Sequence, residues 1–388
     1  MSPCHDIVII GAGPAGCAAA IACALRGLAP VLLEARRQPR TKLCAGGLPP
    51  KVIGALPADT RDIIEARASR IRFTFDGEHA YTLGFERPAV HLVDRARLDQ
   101  RLCERAVALG TELREGVRVR ALRPQPGQVE LVTDQGGLSA RVVIAADGAS
   151  GSGARLLGGA GVRVCPAAQA EVRVSDRELA RWQTAIGCDF GVVAGGIGWL
   201  FPKADRLSVG VCSFRPLVSL HAAFERLLAA LGIRPAAVPR LRRHPLPAWD
   251  GRCIFSSGRV LVAGDAAGLV NPLTGAGIRR ACISGDLAAQ STTAFLAGGA
   301  SDARDLRSYE RRIREDLLAE LSRARILAGL FFRAPALFYR SGVVNLHVNP
   351  WIEELLSGQK GYVEVFSDIL RARWLRSRRL EGGRLEGG

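Results

Sequence analysis

The sequence lacks the residue patterns that build metal centres, disulfide scaffolds and membrane spans. Its ten cysteines are scattered over 388 residues, with no CxxC pair and no His–Cys cluster. That pattern excludes a zinc module and a disulfide framework, and most of the thiols read as small buried apolar residues in a reducing cytosol. The six histidines (5, 79, 91, 221, 244 and 347) form no motif, and none is assigned a role. No window of about 18 uninterrupted apolar residues occurs, so no spanning helix is expected. The apolar N-terminus lacks a basic leading region, and Asp6 precedes its apolar run, which argues against a signal peptide. Acidic residues are outnumbered, 37 against 53 basic, giving a net charge of +16. Most of the cations are Arg; the surplus favours anionic partners or reflects an Arg-rich background. Nucleic acid is not among the expected partners. No repeat is present beyond the tail LEGGRLEGG, and 377–388 has no core-forming content and reads as disordered.

What is present starts at Asp6. Ile7-Val8-Ile9-Ile10 is a short β-branched run of strand length. Gly11, Ala12, Gly13, Pro14, Ala15 and Gly16 follow, then an Ala-rich helical run to Leu25 stopped by Gly27. A second apolar run, Val31-Leu32-Leu33, ends in Glu34. Gly11 permits the tight strand-to-helix turn, and Gly13 lets the backbone approach a pyrophosphate. Gly16 lets the helix sit close to the strands, with its positive end aimed at the phosphates. Glu34, 18 residues beyond Gly16, is spaced to accept hydrogen bonds from ribose hydroxyls. A carboxylate there repels a 2′-phosphate, so FAD or NAD is favoured over NADP.

Two further strand ends carry special residues. Val142–Ala146 leads to Asp147-Gly148, and Arg259–Gly264 leads to Asp265. In a doubly wound sheet, ligands lie at the carboxyl ends of the strands, and a dinucleotide as long as FAD meets all three. Asp265 is placed to bind hydroxyls of the flavin side chain. A helix opening near Gly275-Ala276-Gly277 and Ile278 points backbone N–H groups at the flavin ring. The competing reading of Asp265 is a helix N-cap.

Between these segments the pattern changes. Arg70–Val93 alternates apolar and polar residues over two or three strands, and Val162–Phe214 is again strand-rich. Arg95–Leu109 is helical by period, with Leu98, Leu102 and Val107 on one side, and Ala222–Leu231 is a helix closed by Gly232. Gly46-Gly47 followed by Pro49-Pro50 reads as an ordered loop. The expected architecture is α/β: an FAD-binding Rossmann-like domain interleaved with a strand-rich substrate domain and followed by a helical C-terminal region. The nucleotide domain takes 1–70, 95–155 and 255–300. The substrate sheet takes 71–94 and 160–250, and the helical region 301–376.

Four stretches resemble the geranylgeranyl reductase family of FAD-dependent oxidoreductases, within the p-hydroxybenzoate hydroxylase-like fold. They are GAGPAG (11–16), KLCAGGL (42–48), GWLFPK with VG behind it (198–203, 209–210) and GDAAGLVNPLTGAGI (264–278). Arg95-Ala96-Arg97-Leu98-Asp99 also fits the family's flavin-contacting arginine helix, at Arg95. The resemblance covers about residues 5–300 and implies bound FAD and reduction of carbon–carbon double bonds in a polyprenyl lipid, quinone or pigment precursor. It implies NADPH or a ferredoxin as electron donor. Ala45, Ile197 and Ala276 depart from the family pattern and leave the isoprenoid open.

Cys44 is the candidate at the flavin's reactive face, as proton donor or substrate contact. Trp199 and Phe201 are candidates for an apolar channel, against ordinary sheet core. Lys203 reads as a surface or flavin-edge cation. Two rivals remain: an FAD-dependent monooxygenase hydroxylating or epoxidising an apolar substrate, and a flavin-bearing binding protein without turnover. The apolar segment 326–332, bracketed by Arg325 and Arg333, and the cluster Arg371, Arg373, Arg376, Arg378 and Arg379 around Trp374 form the pattern of an interfacial anchor. The alternative for 326–332 is a buried core helix. The expected location is cytoplasmic, extending to a peripheral position on an anionic cytoplasmic membrane.

Overall fold

A computed structural model of the chain describes residues 4–156, 163–215, 218–237, 239–251, 255–298, 306–340 and 349–361, with 364–365, 367–368 and 371. The Ile7–Ile10 run ends β1 (Cys4–Ile10), the strand at the middle of an eight-stranded sheet. Strands β2 (Val31–Glu34) and β11 (Gly136–Ala145) flank it in parallel. Beyond them lie β8 (Glu112–Glu115) and β18 (Val260–Val262), also parallel. The short β17 (Ser256–Ser257) pairs with β18, and β9 (Val119–Gln125) and β10 (Gln128–Thr133) form a meander on β11. The central strands are buried on both faces, which is why their sequences read as unbroken apolar runs.

Three helices cover this sheet: α1 (Pro14–Ala24), α3 (Arg95–Ala108) and α7 (Ile278–Ala297). Helices α1 and α7 touch backbone to backbone, since a Cβ at Gly285 would lie 2.1 Å from Ala15 O. On α3 the buried stripe is Leu98, Leu102 and Ala106, one residue per turn. Val107, expected on the same side, is 45% exposed. At 100° per residue, its nine-residue offset from Leu98 puts it half a turn away.

A second, seven-stranded sheet takes the order β16-β12-β15-β14-β13-β5-β6. Its members are β5 (Arg70–Phe75), β6 (Glu78–Gly84), β12 (Arg163–Val172), β13 (Ala185–Asp189), β14 (Gly196–Pro202), β15 (Leu207–Ser213) and β16 (Arg242–Ala248). The segment 71–94 divides between two sheets. Strands β5 and β6 join this one, whereas β7 (Val90–Val93) pairs with β3 (Gly47–Leu48) and β4 (Ile64–Ala68) in a three-stranded sheet. Gly47-Leu48, read as loop, is therefore a two-residue strand, because β7 supplies its backbone partners. The outer face of the large sheet packs Leu200, Val209 and Val211 against Phe224 and Leu227 of α6 (Leu220–Leu231), beside α5 (Asp176–Trp182). Two short helices, α2 (Pro50–Ile53) and α4 (Ser152–Leu156), follow β3 and β11.

The C-terminal region is helical as far as it is described: α8 (Arg307–Ile313), a π-helical turn Arg314–Leu318, α9 (Ala319–Phe331), α10 (Pro335–Phe338) and α11 (Asn349–Ser357). Tyr309, Ile313, Leu317 and Leu321 are buried in the nucleotide-domain core. The segment 326–332 divides by helical period: Ala328 and Phe332 are buried, while Ile326 and Leu330 are exposed. Phe331 meets Phe190 edge-on at 5.0 Å, Phe332 meets Phe214 at 5.0 Å and Tyr339 meets Phe75 at 5.7 Å. An aromatic layer thus joins the large sheet to the C-terminal helices. Of the arginine cluster around Trp374 only Arg371 is described; the other members and the tail lie outside the described residues.

Candidate functional site

Because β1, β2, β11 and β18 are parallel, the turns after Ile10, Glu34, Ala145 and Val262 open along one edge of the sheet. Gly11 turns the chain with φ +95°, and a Cβ on Gly16 would lie 1.9 Å from Gly11 O. The cap of α1 is Gly13, followed by Pro14, and no side chain caps the helix. Glu34 is buried, and its carboxylate accepts from Ala12 N at 2.9 Å and Arg36 N at 3.0 Å. Ala15 packs where a Cβ on Gly264 would come within 2.8 Å, so the first and fourth of these turns touch.

The other two strand-end acids behave differently. Asp147 follows β11 against the Gly11 turn, but its Oδ2 accepts from Ser152 N at 2.5 Å and Ser152 Oγ at 2.7 Å. It holds the start of α4; its Oδ1 is buried without a partner. Asp265 sits in a 3₁₀ turn (Gly264–Ala267) that no side chain caps, which leaves its N-cap reading without support. Its Oδ2 lies 3.5 Å from Lys42 Nζ. Asn271 builds the turn behind it, accepting from Leu273 N and Thr274 N, and Gly277 then opens α7 at Ile278 without a side-chain cap.

The glycines of this edge fall into two groups. Gly11, Gly16, Gly264 and Gly285 are packing positions, where a Cβ would meet other atoms at 2.8 Å or less. Gly13, Gly148 and Gly275 are open: a Cβ would meet only Arg40 Nη2 at 3.4 Å, nothing within 4 Å, and Leu246 Cδ2 at 3.5 Å, respectively. Open glycines, two helix starts capped by glycine, and the buried unpaired Asp147 Oδ1 and Asn271 Nδ2 fit a long anionic dinucleotide. The residues present therefore fit FAD. Gly13 and the first turn of α1 would hold its pyrophosphate, Glu34 its adenosine ribose, and Asp265 with the start of α7 its flavin half.

Facing this edge is the loop of Cys44, which is partly buried. Its Sγ accepts from Gly46 N at 3.4 Å, and the Arg95 guanidinium acts on it electrostatically. Arg95 is buried and forked onto Asp99, with Nε 3.1 Å and Nη2 2.9 Å from Oδ1. Burial works against the Arg95 charge, but Asp99 and Cys44 outweigh it and hold the proton more tightly than usual. Of the two expectations for Lys203, surface or flavin-edge cation, the surface one fails: it is 4% exposed and reaches from the end of β14 to Ala45 O (2.8 Å) and Val93 O (2.6 Å). Burial lowers its ammonium from the usual lysine value, opposed by Glu171, Cys44, Glu65 and Asp94. The neighbouring Arg206 sits among four carboxylates: Asp94 at 2.9 Å, Glu171 at 3.0 Å, Asp205 at 2.6 Å and Glu65 at 3.8 Å.

The large sheet presents its inner face to this loop. Phe201 lies where a Cβ on Gly47 would come within 2.5 Å, and Gln169 Nε2 donates to Cys44 O at 3.3 Å. Trp199 covers Gly210, its cross-strand partner, and its Nε1 is buried without a partner. Both aromatics are only partly buried, and Phe201 packs against the cluster that contains Val90 and Leu92. At the rim, Lys42 Nζ lies 2.8 Å from His244 Nε2, and burial together with Lys42 pushes His244 down to about 4.

The sequence reading missed Arg40, Lys42, Asp99, Gln169 and His244. The four-residue spacing of Arg95 and Asp99 signals an ion pair on one helix face. Nothing local marks the others, which come from separate elements. Comparison with known proteins agrees with the fold. A family model described as FAD binding domain matches residues 5–319. The digeranylgeranylglycerophospholipid reductase 2 of Methanothermobacter thermautotrophicus is 31% identical over 84% of this chain and 88% of its own. The geranylgeranyl diphosphate reductase of Rhodobacter capsulatus is 29% identical over 76% of each. The crystal structure of a geranylgeranyl bacteriochlorophyll reductase-like protein from Thermoplasma acidophilum superposes with a TM-score of 0.74 at 20% identity, over 92% of this chain and 91% of that one.

Proposed function

Because the chain belongs to the geranylgeranyl reductase family of FAD-dependent oxidoreductases, we propose that it saturates carbon–carbon double bonds of a polyprenyl lipid, quinone or pigment precursor. The observation that carries this reading is the Cys44 loop, held by Lys203 at Ala45 O and by Gln169 at Cys44 O, with Phe201 and Trp199 behind it. Reduced FAD, when bound, supplies a hydride.

The chain's own residues supply the rest. An isolated alkene is a poor hydride acceptor, so a proton must reach the neighbouring carbon from a dry, shaped pocket. In this reading Cys44 Sγ supplies that proton, and the loop's bonds to Lys203 and Gln169 orient it. Phe201 and Trp199 exclude water and line the path of the chain. The aromatic layer of Phe73, Phe190 and Phe331 continues that apolar wall towards Ile326 and Leu330 at the surface. A bilayer-borne substrate would enter there, with Arg325 and Arg333 on lipid phosphates and the protein resting peripherally on a cytoplasmic membrane. No helix among the described residues is long and apolar enough to cross one. Electrons would come from NADPH or a ferredoxin.

Anaerobic turnover tests the reading. With chemically reduced flavin and geranylgeranyl diphosphate or its phospholipid, the product should gain two hydrogens per reduced bond and the flavin should reoxidise. Cys44→Ala should keep FAD and lose most of that turnover. A requirement for oxygen, with gain of one oxygen atom, would establish the monooxygenase alternative instead.

A further inference from the structure

A cavity of about 730 Å³ opens on the face of the three-stranded sheet turned away from Phe201. Its volume lies in the range of small-molecule sites. Strand pairing explains its place. Strands β7 and β4 pair Val90 with Ala68, His91 with Arg67 and Leu92 with Ala66. Successive residues of a strand point to opposite faces. Val90, Leu92 and Ala68 therefore enter the apolar cluster that Phe201 joins, while His91 and Arg67 line the cavity. None of the lining residues is among those assigned to the cofactor groove.

The lining has two characters. Ile53 of α2, Leu56 after it and Ile64 at the start of β4 form an apolar wall. Arg67 and His91 form a polar floor. Arg67 is exposed, and His91 is partly buried with its Nδ1 shut off from water and without a hydrogen-bond partner. A buried ring nitrogen left unpaired is a group that a ligand can satisfy. Burial and Arg67 lower His91 from the usual histidine value, so at neutral pH its ring is uncharged and Arg67 carries the charge. The one acid of the lining, Asp59, is already held by Arg61, whose Nε lies 3.0 Å and 2.9 Å from its two oxygens. That ion pair leaves the positive charge of Arg67 in excess.

We propose that this cavity binds a single-chain anionic amphiphile, its head on Arg67 and His91 and its hydrocarbon along Ile53, Leu56 and Ile64. One surplus guanidinium beside an unsatisfied ring nitrogen suits a phosphate monoester or a carboxylate. The wall selects for the tail, because a free inorganic anion would leave that apolar surface in water. A neutral alcohol would bury the wall but make no use of the charge on Arg67. The site goes beyond the proposed reaction and does not depend on it.

The test is calorimetric titration of the full-length protein, as purified, with dodecyl phosphate below its micelle concentration. Inorganic phosphate serves as the head alone and dodecanol as the tail alone, and each should bind about ten-fold or more weakly than dodecyl phosphate. Arg67 is exposed, so Arg67→Gln should fold normally. It should bind dodecyl phosphate about ten-fold more weakly, the lower end for a hydrogen bond to a charged group. Arg67→Lys should recover most of that loss. Equal binding by wild type and Arg67→Gln would put the amphiphile elsewhere, as beside Phe201 and Trp199, and overturn the site. Inorganic phosphate binding as well as dodecyl phosphate would reveal an adventitious anion contact only. Dodecanol binding as well would reveal an apolar groove with no head site, and either result overturns the proposal. So does failure of dodecyl phosphate to bind.

Discussion

Gly13 and Gly16 stand three residues apart in one turn, yet they should fail in opposite ways. At Gly16 a Cβ would sit 1.9 Å from Gly11 O, inside the van der Waals limit by more than 1 Å, with Ala146 Cβ 3.5 Å away. Neither β1 nor α1 can yield, and Gly16→Val should cost about 4 kcal/mol or more. At Gly13 the backbone is extended (φ −91°, ψ −175°), and only the tip of Arg40 is near. Gly13→Val should therefore cost the flavin-free protein about 1 kcal/mol, the usual loss for an apolar helix cap. FAD binding is another matter. The side chain fills the space where backbone N–H groups would meet the pyrophosphate. One charge-assisted hydrogen bond is worth about 1.5–3 kcal/mol and the helix terminus up to about 2 kcal/mol. A loss of about 4 kcal/mol raises Kd roughly a thousand-fold. Urea unfolding must compare flavin-free proteins, because bound ligand itself stabilises the native state. Flavin fluorescence quenching gives Kd. If Gly13→Val binds FAD like the wild type, or unfolds as readily as Gly16→Val, the division into open and packing glycines is wrong.

Lys203→Met should leave Ala45 O and Val93 O buried without a donor, a loss of about 2–4 kcal/mol after the relieved burial of the ammonium is counted. Urea midpoints and faster alkylation of Cys44 would register it, and wild-type values for both would refute the anchoring role. His244 sits at about 4 in the fold and near 6.5 unfolded, so the unfolded chain binds the extra proton between those values. Its contribution is full above about pH 6.5 and disappears as pH falls towards 4. That is at most about 3 kcal/mol, and roughly 1–2 kcal/mol allowing for solvent screening. In His244→Gln this portion of the acid sensitivity should be absent from urea titrations run at successive pH values. Sedimentation with vesicles should rise with anionic lipid, fall with salt and weaken in Ile326→Asp/Leu330→Asp; equal recovery on neutral vesicles would rule this surface out.

What could be read from the sequence was what neighbours in the chain decide. The β1–α1–β2 unit was legible because its turn, helix and second strand are contiguous. The Rossmann-like α/β architecture followed from three such strand ends. Side-chain partnerships across the fold were not legible. Lys203 meets Ala45 across 158 positions, and no local pattern distinguishes an exposed lysine from one that bridges two carbonyls. Asp147 was rightly read at a strand end, but Ser152, five residues later, takes half its carboxylate. The missed members of the site are polar residues, Arg40 and Lys42 in a turn, Asp99 on α3, Gln169 on β12 and His244 on the edge strand β16, and hydrophobic periodicity says nothing of their partners.

Arg206 has one more consequence. A chain carrying sixteen surplus positive charges reverses its sign locally at the seam between its seven-stranded and three-stranded sheets, where four carboxylates surround one guanidinium. That reversal is what lets an ammonium as deeply buried as Lys203 keep its place. The seam is therefore fastened by an imbalance of anions in addition to the apolar cluster of Ala68, Val90, Leu92, Ile71 and Ile186. Acid and concentrated salt should loosen it while leaving the cores on either side intact, so the protein should open along this line before it unfolds.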